Sequence, residues 1–278
     1  MTFGVLLAVL GAALLHASWN ALLKLGSSKR ATMVVLSLTE VPTGLLIALS
    51  RPWPSTGVWP WIIAAGFAHL AYKLFLLYAY DFGDLSRVYP IARGAAPMLV
   101  LIVGAVFLPD RVGGWEYAGI AIVGAGIVMM AQGAFQGGEN RRLVPLALGS
   151  ALATATYTMI DGQGARISGD AVAYVAWVFV ADGLIFSTVI LSWVGRRALP
   201  AEPAEWAKGA AASLASYFSY AIAVWAMTVA PIALVAALRE TSILFAVLIG
   251  WLLFAERMTQ GKWLAVALIV AGVVVTRL

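Results

Sequence analysis

Residues 108–130, LPDRVGGWEYAGIAIVGAGIVMM, and residues 254–275, FAERMTQGKWLAVALIVAGVVV, share one plan. Each has an acid followed by arginine, a short polar loop ending in tryptophan, and then a long apolar run. They belong to a longer ungapped match of 93–128 onto 239–274. There Arg93 falls on Arg239, Gly104 on Gly250, Asp110-Arg111 on Glu256-Arg257, and Ala125-Gly126 on Ala271-Gly272. The beginnings of the two halves also correspond, Gly11 with Gly149, Leu14 with Leu152 and Trp19 with Tyr157. An acid–arginine pair recurring at one constant offset is not explained by shared apolar composition. The chain is two copies of one unit.

What surrounds these repeats is written for lipid. Of 278 residues, 62% are hydrophobic and 11% charged, against about 25% charged in an ordinary soluble domain. The mean hydropathy is +0.92. Crossing the hydrocarbon takes about 20 apolar residues, and apolar runs between polar punctuation fall at 3–24, 31–50, 58–80, 85–107 and 115–134. After the polar stretch GGENRR come 143–163, 171–194, 206–229, 231–254 and 260–277. The expected fold is an all-α membrane protein of ten transmembrane helices. Residues 1–136 form the first five-helix repeat, 137–142 a connecting loop, and 143–278 the second repeat. Five is odd, so the second copy enters the membrane from the opposite face. Such an inverted repeat is the architecture of alternating-access carriers.

The +5 net charge does not point to nucleic acid, because the basic residues sit in short loops beside apolar runs. Lys24, Lys29, Arg30, Arg141, Arg142, Arg196, Arg197, Lys208, Arg257 and Lys262 share one face; Arg51, Arg111, Arg166 and Arg277 share the other. The richer face is assigned to the cytoplasm, which puts both termini outside. The first span lacks a charged n-region and a small-residue cleavage site, so it is read as a retained helix. With no cysteine and two histidines, no metal or cofactor is expected. No phosphate-binding loop or HExxH occurs, and the serines lack a neighbouring histidine, so ATP drive and hydrolytic chemistry are disfavoured.

Ionisable groups at membrane depth need a partner or a water-filled cavity. Lys73, Arg87, Arg93 and Arg239 lie inside spans, as do Glu40, Asp161, Asp182 and Glu240. Arg87 has Asp84 close by. Structural pairing competes with function for each of the others. Three helices carry polar stripes at helical spacing: His16, Asn20 and Lys24 beside Trp19; His69, Tyr72 and Lys73; Thr154, Thr158 and Asp161 beside Tyr157. A polar stripe in hydrocarbon faces protein or water, so the three stripes define one central cavity, with interhelical hydrogen bonding as the plainer reading. Trp19, Asn20, His69, Tyr72, Lys73, Tyr89 and Tyr157 are its expected lining. The fourth span reads RVYPIARGAAP. Pro90 and Pro97 each lack an N–H and clash with the carbonyl four residues back, and Gly94 lies between them. The segment is expected to be kinked or partly unwound, a hinge at Pro90, Arg93, Gly94 and Pro97 on the cytoplasmic side. Arg239 and Glu240, about eight residues or roughly 12 Å into the ninth span from the outer face, form the mirrored gate.

The two loop-plus-helix motifs quoted at the outset resemble the repeat ends of EamA-type transporters in the drug/metabolite transporter superfamily, and the resemblance extends over essentially the whole chain. The tryptophan-bearing first helix and the stretch HLAYK (69–73) are similar to the bacterial aromatic amino-acid exporters of that superfamily. The resemblance implies a multi-pass protein of the inner membrane that exports amino acids or related small metabolites, aromatic or large apolar amino acids foremost. A drug-like cation or nucleotide sugar is the alternative cargo; a channel and an intramembrane enzyme rank below any carrier. A monomer suffices for this reading. Several branches keep both termini in the cytosol, where the basic-residue count places them outside. The small multidrug relatives exchange protons through a carboxylate in helix one, and this helix one has none.

Overall fold

The computed structural model describes residues 1–24, 29–82, 85–132, 143–254 and 258–278; side chains are described within these except at 21–24, 29–30, 80–82, 85–94, 130–132, 196, 198 and 253–254. The described chain is helical throughout: α1 (Phe3–Lys24), α2 (Lys29–Ala48), α3 (Trp59–Phe82), α4 (Leu85–Phe107), α5 (Gly114–Gln132), α6 (Leu143–Ser168), α7 (Ala171–Val194), α8 (Pro203–Val229), α9 (Ile232–Arg239), α10 (Ser242–Phe254) and α11 (Gln260–Val275). Seven stretches are long and apolar enough to cross a membrane, one of them running from Ile232 to Leu252 across the α9–α10 junction; Ala95–Phe107, Gly114–Met129 and Gln260–Val275 are shorter apolar helices. These are the ten expected spans. Leu46, Ile102, Val106 and Leu252 are exposed, whereas Glu40, Asp161 and Asp182 are buried. That distribution suits hydrocarbon outside and polar contacts within. The connecting loop 137–142 and the Glu256-Arg257 pair lie outside the described residues.

The repeats exchange partners. α1 packs on α8 and α3 on α6, each pair joining the first helix of one repeat to the third of the other. α2 packs on α7, and α5 on α11, each meeting its own counterpart. Small residues bring these counterparts together. A Cβ on Gly44 of α2 would stand 2.5 Å from the Ala176 carbonyl of α7, and one on Gly183 of α7 would stand 2.6 Å from the Ser37 carbonyl of α2. The aligned Gly126 and Gly272 both lie in the α5–α11 crossing, against Ile269 and Val123.

Three helices depart from the sequence expectation. α6 continues to Ser168 rather than stopping at 163. Gly162 and Gly164 do not end it, because Ile232 and Tyr174 pack where their side chains would be. α4 is helical without interruption through Pro90, Gly94 and Pro97; it is not unwound. Each proline removes one N–H, and packing against α5 and α6 supports the helix around it. The break occurs in the ninth span instead. There the Glu240 N–H donates to the Ala237 carbonyl, the Thr241 N–H to Leu238, and the Ile243 N–H to Glu240, all at 3.0–3.1 Å. The Thr241 hydroxyl also donates to the Leu238 carbonyl at 2.7 Å. The polar run Arg239–Ser242 thus tightens to three-residue turns, with the Thr241 hydroxyl competing for a backbone carbonyl.

The α6–α7 turn carries Gly169 at φ +71, a left-handed conformation that favours glycine. Asp170 follows as the cap of α7, its Oδ1 accepting from the Val172 and Ala173 N–H groups at 3.0 Å. Arg51 reaches the same carboxylate at 3.6 Å. Trp53, Trp59 and Trp177 meet edge to face or tilted at this end, with ring centres 4.7–5.6 Å apart. Trp53 is exposed beside Arg51 while Trp177 is buried, which gives the cluster the character of an interfacial belt.

Candidate functional site

Five helices send ionisable groups into one buried centre. Lys73 of α3 lies 2.7 Å from Ser37 Oγ and Glu40 Oε2, both on α2. It is also 2.7 Å from Asp182 Oδ2 on α7. An ammonium has three N–H groups, and here each has an oxygen. One turn earlier on α3, His69 Nε2 is 3.0 Å from Asp161 Oδ2 of α6, while its Nδ1 faces Asp182 Oδ2 at 4.0 Å. Asp161 is fully buried. The Tyr174 hydroxyl donates to its Oδ1 at 3.1 Å, and the Tyr220 hydroxyl donates to its Oδ2. Three donors on one carboxylate satisfy it well. Asp182 is different: its Oδ1 is buried and accepts no hydrogen bond.

An aromatic wall backs this centre. Tyr157 stacks on His69 at 4.0 Å and 19°. Tyr72 and Tyr220 meet Tyr157 edge to face, at 5.7 and 6.2 Å, and Phe179 lies beside Tyr220 at 6.4 Å. The Arg239 guanidinium, at the end of α9, sits over the Tyr220 ring at 4.9 Å. Among the described residues it has no carboxylate within ion-pair range. The α9–α10 break therefore delivers a cation to the edge of the buried acids.

A second polar assembly closes the end of the bundle at the α6–α7 turn. Arg166 grips Asp110 with both terminal nitrogens, at 2.7 and 3.2 Å. It also donates to the Met227 carbonyl at 2.9 Å and the Ala230 carbonyl at 3.1 Å. Asp110 Oδ2 in turn accepts the Ile232 N–H at 2.8 Å. One bidentate pair thus ties the α4–α5 loop, α6, the end of α8 and the start of α9.

The structure brings His69, Tyr72, Lys73 and Tyr157 together, as the stripes on the third and sixth helices suggest. It places Trp19 elsewhere: its ring packs with Leu36 and Ala212 and meets His16 edge-on at 5.0 Å. Asn20 donates to the His16 carbonyl of its own helix at 2.8 Å. Pro97 and Glu240 are buried. The side chains of Tyr89, Pro90, Arg93 and Gly94 lie outside the described residues. Lys73, expected to line the cavity, has no N–H left for a further acceptor in this conformation. Tyr174 and Tyr220 join the site without a signal in the sequence. A buried Asp161 requires donors, but nothing in the sequence says which tyrosine supplies them across a helix interface.

The match to a family model spans residues 2–132 and 142–278, so both repeats are covered: the chain is a multi-pass membrane transporter, and it belongs to the EamA-like transporter family of the drug/metabolite transporter superfamily. No curated protein matches the sequence. One solved crystal structure superposes with a TM-score of 0.79 over 99% of this chain and 98% of its own, at 19% sequence identity; that similarity is one of fold.

Proposed function

We propose that the chain is an alternating-access secondary carrier, not an enzyme, exporting amino acids or related small metabolites across the cytoplasmic membrane, with an aromatic or large apolar amino acid as its cargo. The observation that carries this reading is Arg239, a guanidinium on an aromatic face with no acidic partner among the described residues. A substrate carboxylate would complete it, and Tyr220, Tyr157 and Tyr72 offer the ring surface. Ring contacts of this kind contribute about 0.5–1.5 kcal/mol each beyond burial. The acidic side of the centre attracts an ammonium. In this scheme the hinge is α4, at Pro90, Arg93, Gly94 and Pro97, and Arg239 with Glu240 gates the opposite side. Three buried carboxylates favour a drug-like organic cation as the competing cargo, though two of them share Lys73.

Export resistance separates the two. Cells expressing the protein should tolerate toxic phenylalanine or tryptophan analogues better than controls. Arg239→Ala should raise the KM for such substrates roughly tenfold to a hundredfold, the worth of a charge-assisted bond of about 1.5–3 kcal/mol. Protection against organic cations alone, unaffected by Arg239→Ala, would transfer the assignment to the competing cargo.

A further inference from the structure

We propose that the His69–Asp182 pair binds a proton that the carrier exchanges for its substrate. The observation behind this is a mismatch of charge and hydrogen bonds at one point of the buried centre. Glu40 and Asp182 face Lys73 directly, and Asp161 meets His69 and Tyr220, with Arg239 over the Tyr220 ring. Among the described buried groups the acids outnumber the fixed cations Lys73 and Arg239, and a proton reduces that excess negative charge.

The geometry locates that proton. Lys73 is saturated, and Asp161 has three donors, so neither group asks for another. Asp182, with a side chain 5% exposed, keeps one oxygen without a donor. The other, Oδ2, accepts from Lys73 and faces His69 Nδ1 at 4.0 Å. That separation exceeds a hydrogen bond, and closing it takes a shift of about 1 Å. With the Nε2 side of the ring engaged by Asp161, a proton arriving at Nδ1 or on Asp182 bonds the ring to the carboxylate and lowers the excess negative charge together. The ring sits on α3 and its two carboxylates on α6 and α7. The same proton therefore adjusts how a first-repeat helix holds two second-repeat helices, the kind of contact that alternating access must remake.

The other titratable or charged groups at this point are Glu40 on α2, Tyr72 and Lys73 on α3, Tyr157 on α6, Tyr174 on α7, Tyr220 on α8 and Arg239 on α9. The side chains of α4 before Ala95 lie outside the described residues. A proton site at this position is in the third and seventh helices, not in helix one, where the chain has no carboxylate.

The proposal rests on the carrier reading for its direction, proton in against substrate out, and its test needs no knowledge of the substrate. The full chain, reconstituted on a solid-supported membrane, is stepped from about pH 8 to about pH 6 without substrate. A transient charge displacement is expected in the wild type, in the Asp182→Asn protein at less than a tenth of that size, and in full in the exposed control Lys208→Gln. Absence of the transient in the wild type, or its survival in Asp182→Asn, overturns the proposal. Should Asp182→Asn fail to fold, phenylalanine added to weakly buffered wild-type protein with a pH dye decides instead. Release of close to one proton per bound phenylalanine supports the exchange, and binding with no release sinks it. If phenylalanine does not bind while the pH-step transient is intact, the substrate assignment fails and the proton site stands.

Discussion

His69 Nε2 and Asp161 Oδ2 stand 3.0 Å apart, which fastens the third helix of one repeat to the first helix of the other through a buried polar bond. Lys73, one turn away, does the same toward α7 through Asp182. In a bilayer, apolar contact between helices competes with equally apolar lipid, so such bonds decide which helix faces which.

Lys73→Met should destabilise the protein severely. It leaves Glu40 and Asp182 buried without their cation, and breaking a buried pair this way costs about 3–5 kcal/mol. Glu40→Gln should be milder, since Lys73 keeps Asp182. Thermal unfolding in detergent, followed by size-exclusion chromatography, ranks the two. Equal stabilities would mean that the ammonium is not what holds these carboxylates.

Gly183→Ala tests the α2–α7 crossing. Its new methyl meets the Ser37 carbonyl, whose backbone cannot move aside without displacing Lys73's partners. A loss of about 1–3 kcal/mol is expected, typical of overpacking. Gly11→Ala, where nothing lies within 4 Å, should gain about 0.5–1 kcal/mol from helix propensity. A calorimetric comparison of the two melting temperatures reads the difference in sign.

Replacing Arg166 by lysine removes the bidentate grip on Asp110 and the bonds to the Met227 and Ala230 carbonyls. That end of the bundle should then open more often. The chain has no native cysteine, so a single Ala230→Cys reporter, buried in the parent, gives a clean signal. Its maleimide labelling rate should rise several-fold in the Arg166→Lys background. An unchanged rate would leave the clamp a purely static tie.

The orientation expected from the basic-residue count is open to test by the same chemistry. Thr56→Cys and Ala201→Cys lie on exposed turns at opposite ends of the bundle. In intact cells an impermeant maleimide should label the first and spare the second until the cells are broken. The reverse pattern would place both termini in the cytosol.

The sequence by itself determined the two repeats, the ten spans and the inventory of buried charge. Each of these is written in local terms: a run of apolar residues of membrane length, a motif recurring at a constant offset, an ion where hydrocarbon permits few. It also indicated that His69, Tyr72, Lys73 and Tyr157 lie on polar helix faces, because helical spacing alone aligns them. Only the tertiary structure decided how they pair. Glu40, Lys73, Asp161, Asp182, Tyr174 and Tyr220 come from five helices spread over most of the chain, and spacing along one helix carries no information about the rotation of another. The same reason explains the two reversals. Prolines mark the fourth span for a kink or partial unwinding, yet it is not unwound and stays helical among its neighbours. The ninth span, which has no proline at the aligned positions, breaks at Arg239–Ser242, where short-range N–H bonds and the Thr241 hydroxyl take the backbone carbonyls within the folded interior.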